Sequence, residues 1–292
     1  MTAALFGTGL LGGAIAQRLL QCGQELWVWN RSPDRCQPLQ ALGAQQALTP
    51  LEAAQQAPWL ITVLSDGPTT RELLLEQING SLQGRTVIQM GTIGPDESRE
   101  LAEAVGQRGG RYLEAPVLGS KPEALAGTLQ LMAGGPKELY AQALPLLSQL
   151  SATPVHLGEV GTAMAAKLAL NQLIASLTHA FSLSLHLVQR SGVEVEAFMD
   201  LLRGSALYAP TFDKKLEREL KGDYSNPNFP TAHLRKDLAL FQAAAQASGL
   251  DAQGLEGLLE LLKNATPAGL DPLDYCALHA LTAGHTAAAE QP

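Results

Sequence analysis

The sequence has few cysteines and few basic residues. The first shortage bears on the cellular compartment, and the second on whether the protein binds nucleic acid. Cys22, Cys36 and Cys276 are its three cysteines in 292 residues. Three scattered thiols cannot form a disulfide framework, so we expect a reducing compartment and predict a cytoplasmic protein. Lys and Arg total 20 against 28 Asp and Glu, a formal net charge of −8 that argues against nucleic-acid binding. A small anionic substrate is still compatible with this charge, because a single pocket can be basic in an acidic protein.

The sequence also lacks metal-ligand spacing and long apolar runs. Its histidines are His156, His179, His186, His233, His279 and His285. They match no metal-ligand motif, so no metal is predicted. No stretch has the roughly 18 uninterrupted apolar residues of a membrane-spanning helix, so no membrane association is predicted. The chain instead has 46% hydrophobic and 16% charged residues, which is typical of a folded protein, and its 292 residues are enough for one large or two medium domains.

Residues 1–16, MTAALFGTGLLGGAIA, admit two interpretations. A secretory signal would use Ala14-Ile15-Ala16 as its cleavage site, but the first basic residue is Arg18 and glycines interrupt the apolar run. The alternative is a strand over Ala3–Phe6, a tight turn, and a helix over Ala14–Leu20. That order gives G-x-G-x-x-G the context in which it binds the pyrophosphate of a dinucleotide. We therefore expect a dinucleotide-binding turn. Its residues are Gly7, Thr8, Gly9, Leu10, Leu11 and Gly12.

The end of the second predicted strand indicates which dinucleotide is bound. An acidic residue there binds the ribose 2′-hydroxyl of NAD, whereas this chain has Asn30-Arg31-Ser32 with Arg35 one helical turn later. A guanidinium and a hydroxyl can hold a 2′-phosphate, which favours NADP. The alternative is that Arg31 is an ordinary exposed residue.

The pattern of apolar residues differs between the two halves of the chain. Short apolar runs alternate with helical stretches up to about residue 158, which predicts βαβ units and a mainly parallel sheet. The runs are Ala3–Phe6, Leu26–Trp29, Trp59–Leu64, Thr86–Met90, Arg111–Ala115, Leu129–Ala133 and Pro154–Leu157. After Gly158 the pattern is helical, beginning with about eight turns over Thr162–Arg190. Further helices are predicted at Val195–Leu202, Thr211–Lys221, Thr231–Ser248 and Gly254–Asn264, followed by a frayed tail over Thr282–Pro292.

The predicted fold class is therefore α/β. A Rossmann-like dinucleotide-binding domain, 1–160, is joined by a long helix to an all-α C-terminal domain, 161–292.

Three stretches could carry chemistry, and each also has an ordinary structural explanation. Lys167 and Asn171 lie four residues apart on one face of the long helix, although a lysine stem can simply cover apolar surface. Ser120 follows a strand end in YLEAPVLGSKPEALAGTL, where its hydroxyl and nearby amides could hold a carboxylate, but turn-forming residues are also common in plain loops. Lys236-Asp237 begins a later helix, where an exposed charge pair is the usual explanation.

Taken together, these stretches resemble the β-hydroxyacid dehydrogenase family, which includes 3-hydroxyisobutyrate dehydrogenases and glyoxylate/succinic semialdehyde reductases. The ordered motifs cover nearly the whole chain: GTGLLG at the start, LSDGP at 64–68, GTIGP at 91–95, EAPVLGS at 114–120, G-x5-K-x3-N at 161–171, and KD at 236–237. The GSKP run, the EAP start and Asn30-Arg31-Ser32 are most similar to the glyoxylate/succinic semialdehyde reductase branch. The family fold joins a Rossmann-like domain to an all-α domain, in agreement with the two patterns.

The resemblance implies a role for each matched residue. Lys167 corresponds to the catalytic lysine and Asn171 to the asparagine that positions the reacting oxygen. The implied cofactor contacts beyond the glycine turn are Leu64, Ser65, Thr92 and Lys236. They add to the predicted NADP-selecting residues Asn30, Arg31, Ser32 and Arg35. The implied substrate-pocket residues are Leu118, Gly119, Ser120, Phe229 and Asp237. Members usually form dimers or tetramers, so a homodimer or homotetramer is expected.

One position departs from the family pattern. The family commonly has A-P-V-S-G where this chain has Leu118 in place of the serine, which removes a hydroxyl and adds apolar bulk. We expect NADPH-dependent reduction of a small aldehyde acid to its hydroxy acid, with Lys167 as proton donor. The alternatives are oxidation of a 3-hydroxy acid such as 3-hydroxyisobutyrate and a non-catalytic NADP-binding scaffold. An imine reductase is disfavoured, because such enzymes usually have Asp or Tyr at the lysine position.

Overall fold

The computed structural model describes residues 1–78 and 80–284. The chain divides into two compact units, Met1–Ala169 and a second that begins at Leu170. The division falls inside the helix Thr162–Arg190. The predicted domain boundary at 160/161 precedes that helix and stays a prediction. The predicted frayed tail lies outside the described residues from position 285 onward.

The first unit is built on a mainly parallel sheet. Its strands are β1 (Thr2–Phe6), β2 (Glu25–Trp29), β3 (Gln45–Gln46), β4 (Trp59–Thr62), β5 (Thr86–Gln89), β6 (Arg111–Glu114), β7 (Val117–Leu118), β8 (Gln130–Gly134) and β9 (Val155–Gly158). The spatial order is β3-β2-β1-β4-β5-β6-β8-β7, and β9 pairs with β8. The strands from β3 to β6 are parallel, whereas β8 runs antiparallel to β6.

Helices cover both faces of this sheet. They are α1 (Leu10–Gln21), α2 (Gln37–Gln40), α3 (Pro50–Gln56), α4 (Gly67–Glu72), α5 (Pro95–Gly106), α6 (Lys121–Ala126), α7 (Lys137–Leu147) and the start of α8 (Thr162–Arg190). Alternate residues of β1 belong to different cores: Leu5 packs with Ile15 of α1, and Phe6 packs with Leu101 of α5. This two-sided burial explains why the strands read as continuous apolar runs, and the predicted fold class is confirmed.

Helices are the main elements of the second unit, and its described residues form no β-strand. The rest of α8 is followed by α9 (Val195–Arg203), α10 (Pro210–Lys221), α11 (Thr231–Ala247), α12 (Glu256–Lys263) and α13 (Leu278–Thr282). Its cores include one around Leu234 and Leu262 and another around Phe181 and Phe212. Phe181 of α8 and Phe212 of α10 stack with ring centroids 4.6 Å apart.

The observed elements differ from the predicted ones in a few places. Helix α1 begins at Leu10 rather than at Ala14, so Leu10, Leu11 and Gly12 of the predicted glycine turn belong to the helix. β3 and β7 were not predicted, because two-residue strands are too short to show periodicity. β4 ends at Thr62 rather than Leu64, since the chain leaves the sheet to reach Asp66, whose side chain accepts a hydrogen bond from the Thr69 N–H at the start of α4. α12 begins at Glu256 because Gln253–Leu255 forms a 3₁₀ turn.

Helix α8 is long and apolar enough to cross a membrane by length and composition, with a mean hydropathy of 1.2 over its most apolar 18-residue window. The central helix of a folded domain meets the same criterion. In the structure Met164 belongs to a core of the first unit, and Ala175 and Leu185 belong to cores of the second.

Candidate functional site

The turns that follow β1, β4 and β5 lie together at one edge of the sheet. The chain passes from β1 to β2 on one side and returns to β4 on the other, so the strand order reverses beside β1. Ligands of doubly wound sheets bind at the carboxyl ends of the strands at such a point. A Cβ atom at Gly91 would overlap the Leu64 carbonyl oxygen, which shows how closely the turns after β4 and β5 approach. Predicted cofactor residues Leu64, Ser65 and Thr92 lie in these two turns.

The glycine turn after β1 is tightly packed at two of its glycines. Gly7 has a φ of +96° and a Cβ there would overlap the Val63 carbonyl oxygen. A Cβ at Gly12, in the first turn of α1, would overlap the Gly7 carbonyl oxygen. Glycine at position 12 therefore lets the first turn of α1 pack against the Gly7 backbone. Gly9 is different: a Cβ there would meet its nearest atom, Arg35 Nη1, at 3.9 Å. As the N-cap of α1, Gly9 offers no side chain to the first-turn N–H groups, which suits the start of α1 to an anionic ligand.

Asn30 joins the end of β2 to this turn. Its Oδ1 accepts a hydrogen bond of 3.0 Å from the Thr8 N–H, and its Nδ2 donates to the Ser32 carbonyl at 3.0 Å. Asn30 therefore fixes the conformation of the turn, and it does so from the end of β2, where NAD-binding proteins have an acidic residue. Arg31, Ser32 and Arg35 follow Asn30 in the chain and are exposed, so their side chains are accessible to a phosphate.

The loop after β7 begins with the half-buried Leu118 and continues through Gly119 at φ +127°. Ser120 is the N-cap of α6. Its N–H and its hydroxyl donate to Glu123 Oε2 at 2.8 and 2.7 Å. The two donors that were predicted to hold a carboxylate thus already hold one in this structure, that of Glu123.

Lys167 lies on the second turn of α8 and is 8% exposed. The first turn of the same helix is held by Glu114, the last residue of β6, whose Oε1 accepts hydrogen bonds from the N–H groups of Ala163 and Met164. This burial does not match the alternative of a lysine stem lying over exposed surface, and the catalytic role of Lys167 stays a prediction.

Asn171, Lys236 and Asp237 come together in the second unit. Asn171 Nδ2 donates to Asp237 Oδ2, and Lys236 Nζ lies 3.0 Å from Asp237 Oδ1. Asn171 and Asp237 are 1% and 2% exposed, so the sequence-based alternative of an exposed charge pair does not describe Asp237. Phe229 precedes α11 and packs against Tyr275, with the two ring centroids 6.0 Å apart.

Sequence reasoning missed three polar residues that organise these sites. Glu114 holds α8, Glu123 accepts from Ser120, and Gln89 Nε2 donates to the Gly91 carbonyl at 3.1 Å. Ser-x-x-Glu at 120–123 is a capping signature that could have been found. Glu114 and Gln89 stand at strand ends, but only the tertiary fold gives their partners.

Among residues 1–78 and 80–284, no group of three His, Cys, Asp or Glu side chains is arranged to hold a metal ion.

Two family models cover the chain. The NAD binding domain of 6-phosphogluconate dehydrogenase matches residues 2–170, and the NAD-binding domain of NADP-dependent 3-hydroxyisobutyrate dehydrogenase matches residues 161–282. They confirm the predicted cofactor, NADP, whereas its individual contact residues stay predictions.

Individual proteins agree with these models. Glyoxylate/succinic semialdehyde reductase 1 of Arabidopsis thaliana is 32% identical over 95% of this chain and 97% of its own length. Human cytokine-like nuclear factor N-PAC is 31% identical over 82% of this chain, which spans 44% of that protein. The structure of Mycobacterium tuberculosis 3-hydroxyisobutyrate dehydrogenase with L-serine has the same fold, with a TM-score of 0.85, 24% identity, and coverage of 96% of this chain and 98% of that one. The chain therefore belongs to the β-hydroxyacid dehydrogenase family of NAD(P)-dependent oxidoreductases.

Proposed function

We propose that this enzyme reduces a small aldehyde acid, such as succinic semialdehyde or glyoxylate, to the corresponding hydroxy acid at the expense of NADPH. The observation that carries the proposal is the burial of Lys167 one helical turn before Asn171. Burying a lysine is costly, and lysines are almost never buried unless their ammonium is paired, so a buried lysine one turn before Asn171 is a candidate for chemistry. The 32% identity to an Arabidopsis glyoxylate/succinic semialdehyde reductase supports this choice of substrate.

The residues of the first unit fit NADP. Gly7 and Gly12 keep the turn compact, the start of α1 offers N–H groups to the pyrophosphate, and the exposed Arg31 and Arg35 offer guanidinium groups to the 2′-phosphate. When bound, NADPH supplies the hydride that adds to the carbonyl carbon of the aldehyde.

Lys167 acts as the general acid. Its ammonium donates a proton to the carbonyl oxygen and stabilises the negative charge that develops there. Asn171 has a fixed orientation, because its Nδ2 is hydrogen-bonded to Asp237. Its Oδ1 is buried without a hydrogen-bond partner in the described part of the chain, so this oxygen can accept a hydrogen bond from a substrate hydroxyl. The product alcohol offers such a hydroxyl.

The loop at Ser120 binds the substrate carboxylate. Because Glu123 accepts from both the N–H and the hydroxyl of Ser120, a substrate carboxylate can bind these donors only when the Glu123 carboxylate moves away from them. Leu118 contributes apolar surface two residues earlier and favours a carbon chain such as that of succinic semialdehyde over glyoxylate.

The proposal is tested by measuring NADPH consumption with succinic semialdehyde and glyoxylate, with NADH in parallel. Lys167→Ala should lower kcat by about 10²–10⁴-fold and leave the Kd for NADPH within about twofold. Lys263→Ala removes a lysine that is 67% exposed on α12 and serves as the matched control with unchanged kcat.

Other outcomes point elsewhere. Turnover of 3-hydroxyisobutyrate with no reduction of either aldehyde would replace the proposal with the hydroxy-acid dehydrogenase that the second family model describes. NADPH binding without turnover of any of these compounds would favour a non-catalytic NADP-binding scaffold. Near-normal activity of Lys167→Ala would refute the role of the lysine.

We also propose a homodimer or homotetramer. Leu173, Leu183 and Leu187 on α8 are 52%, 49% and 67% exposed, and Leu201 on α9 is 77% exposed. By the helical repeat Leu173, Leu183 and Leu187 lie on one side of α8, and an exposed apolar stripe of this kind supports an interface with a second subunit. Light scattering of the purified protein gives the subunit number, and a monomer at micromolar concentration would contradict this proposal.

A further inference from the structure

Glu114 is a fully buried carboxylate whose two oxygens are both hydrogen-bonded. Oε1 accepts from the N–H groups of Ala163 at 2.8 Å and Met164 at 3.2 Å, and Oε2 accepts from the Ser98 hydroxyl at 2.6 Å. One side chain at the end of β6 therefore connects the sheet to α5 and to the first turn of α8.

The position is built around this carboxylate. Ser98 Oγ also lies 2.9 Å from the Tyr112 hydroxyl, and burial raises the pKa of Tyr112, so the phenol stays protonated and can donate to Ser98. A Cβ atom at Gly134 on β8 would overlap Glu114 Oε1, so glycine at this position leaves room for the carboxylate where it now lies.

Two other helix starts in the first unit, those of α3 and α4, are satisfied more simply. The first N–H groups of a helix lack partners within the helix, and a local side chain usually accepts from one of them. Thr49 does so for the Glu52 N–H of α3, and Asp66 does so for the Thr69 N–H of α4. At α8 the acceptor is about 50 residues away in the chain and is buried at a cost that a local serine or threonine would avoid. In return, Glu114 does more than cap α8: because it belongs to β6, it also attaches the first turn of α8 to the sheet.

Lys167 lies four residues beyond Ala163, about 6 Å along the helix axis. The orientation and depth of the first turn therefore set where the lysine side chain starts. We propose that Glu114 is a positioning residue for Lys167, which holds the first turn of α8 against the sheet so that the ammonium meets the reacting oxygen. The inference rests on the proposed role of Lys167 as general acid.

The test compares Glu114→Gln and Ser98→Ala with the wild-type enzyme, and uses Thr49→Ala as the matched control. Glu114→Gln keeps the size of the side chain and one acceptor oxygen but loses the charge. Ser98→Ala removes one hydrogen bond to the carboxylate. Thr49→Ala removes a helix cap of the same unit without touching α8.

We expect Glu114→Gln to lower kcat by about 10–100-fold, because a shift of about 1 Å in a reacting group has an effect of this size. The Kd for NADPH should stay within about twofold, and Ser98→Ala should show a smaller loss of kcat. Removing a negative charge from the start of α8 also makes it easier for Lys167 to lose its proton, so the alkaline limb of the kcat profile should move to lower pH. Thr49→Ala should change neither kcat nor its pH profile.

A second readout needs no substrate. In protein labelled with ¹³C-lysine, the side-chain signal of Lys167 is assigned by its loss in Lys167→Arg. Glu114→Gln should move that signal, and Thr49→Ala should not. If Glu114→Gln lowers thermal stability but leaves both the Lys167 signal and the kcat profile unchanged, the residue is only structural and the inference is wrong. If the wild-type enzyme reduces no aldehyde, the proposed function fails, while the Lys167 signal still decides the role of Glu114.

Discussion

Asn171 Nδ2 donates a hydrogen bond of 2.6 Å to Asp237 Oδ2, and this bond joins α8 to α11 inside the second unit. Both side chains are buried, and the other carboxylate oxygen of Asp237 lies 3.0 Å from Lys236 Nζ. The amide is thereby oriented with its nitrogen towards the carboxylate and its oxygen away from it. An asparagine can do this and an aspartate cannot, since only the amide donates.

Replacing Asn171 should therefore affect stability in a graded way. Asn171→Ala leaves the buried carboxylate with one donor fewer, which costs about 1–3 kcal/mol of unfolding free energy. Asn171→Asp places a second carboxylate against Asp237 and should cost more than Asn171→Ala, because two like charges then face each other in a buried position. Urea unfolding of both variants at neutral pH measures this. Gln172→Ala, at a half-buried position of the same helix, is the control. Equal losses of unfolding free energy for the two Asn171 variants would contradict the charge argument.

Arg31 should discriminate between the two nicotinamide cofactors. Arg31→Ala should raise the Kd for NADPH by about 10–100-fold, since a charged hydrogen bond to phosphate is lost, and should leave the Kd for NADH within about twofold. Arg35→Ala should act in the same direction. Titration of each cofactor by fluorescence gives both constants. Arg71→Ala, which removes an exposed arginine paired with Glu100, is the matched control; equal weakening of NADPH and NADH binding by Arg31→Ala would mean that Arg31 does not contact the 2′-phosphate.

Two adjacent glycines of α1 should respond oppositely to alanine. A Cβ at Gly12 would overlap the Gly7 carbonyl oxygen, whereas a Cβ at Gly13 would meet its nearest atom, the Thr8 carbonyl oxygen, at 3.5 Å. Gly12→Ala should therefore abolish NADPH binding or prevent folding. Gly13→Ala should raise the unfolding free energy by up to about 1 kcal/mol, because alanine is the better helix former. Thermal unfolding and NADPH titration of both variants provide the comparison, and a tolerated Gly12→Ala would show that the turn is looser than described.

The helical unit should lose stability at alkaline pH because of Glu219. Burial raises the pKa of Glu219 to about 8 despite the opposing charge of Lys215 on the same helix. His279 Nδ1 lies 3.5 Å from Glu219 Oε2, and burial together with the stacked His186 lowers the pKa of His279 to about 4. The contribution of Glu219 is complete below its unfolded pKa of 4.5 and is lost as pH rises through about 8. The contribution of His279 has the opposite sign: it is present above 6.5 and is lost as pH falls through about 4.

Measurements above about pH 6.5 therefore isolate Glu219. Between about pH 6.5 and 8 the wild-type protein should lose stability relative to Glu219→Gln, with a slope on the order of 1 kcal/mol per pH unit at most. Glu217→Gln replaces an exposed glutamate two residues earlier on α10 and should leave the pH dependence unchanged. Parallel stability curves for the wild-type protein and Glu219→Gln would show that Glu219 does not titrate in this range.

Periodicity predicted the architecture well because it reports burial. The apolar runs at Ala3–Phe6 and Thr86–Met90 are strands buried on both faces, and the pattern over Thr162–Arg190 gives both ends of α8. β3 and β7 could not be predicted, since two residues of strand carry no period and form only where a neighbouring strand offers hydrogen bonds. The two-unit organisation followed from the change of pattern near Gly158.

The amino-acid sequence by itself determined the chemistry that is available: the glycine turn, the arginines after β2, and a lysine and an asparagine one turn apart on a helix. These are local facts, fixed by backbone sterics and by the 3.6-residue repeat. Only the tertiary structure decided which partners they have. Asp237 is 66 residues from Asn171, and Glu114 is about 50 residues from the helix start it holds. The burial of Lys167 depends on the same long-range packing. A hydrogen bond between distant segments depends on how layers of the fold meet, and no local pattern of residues records that.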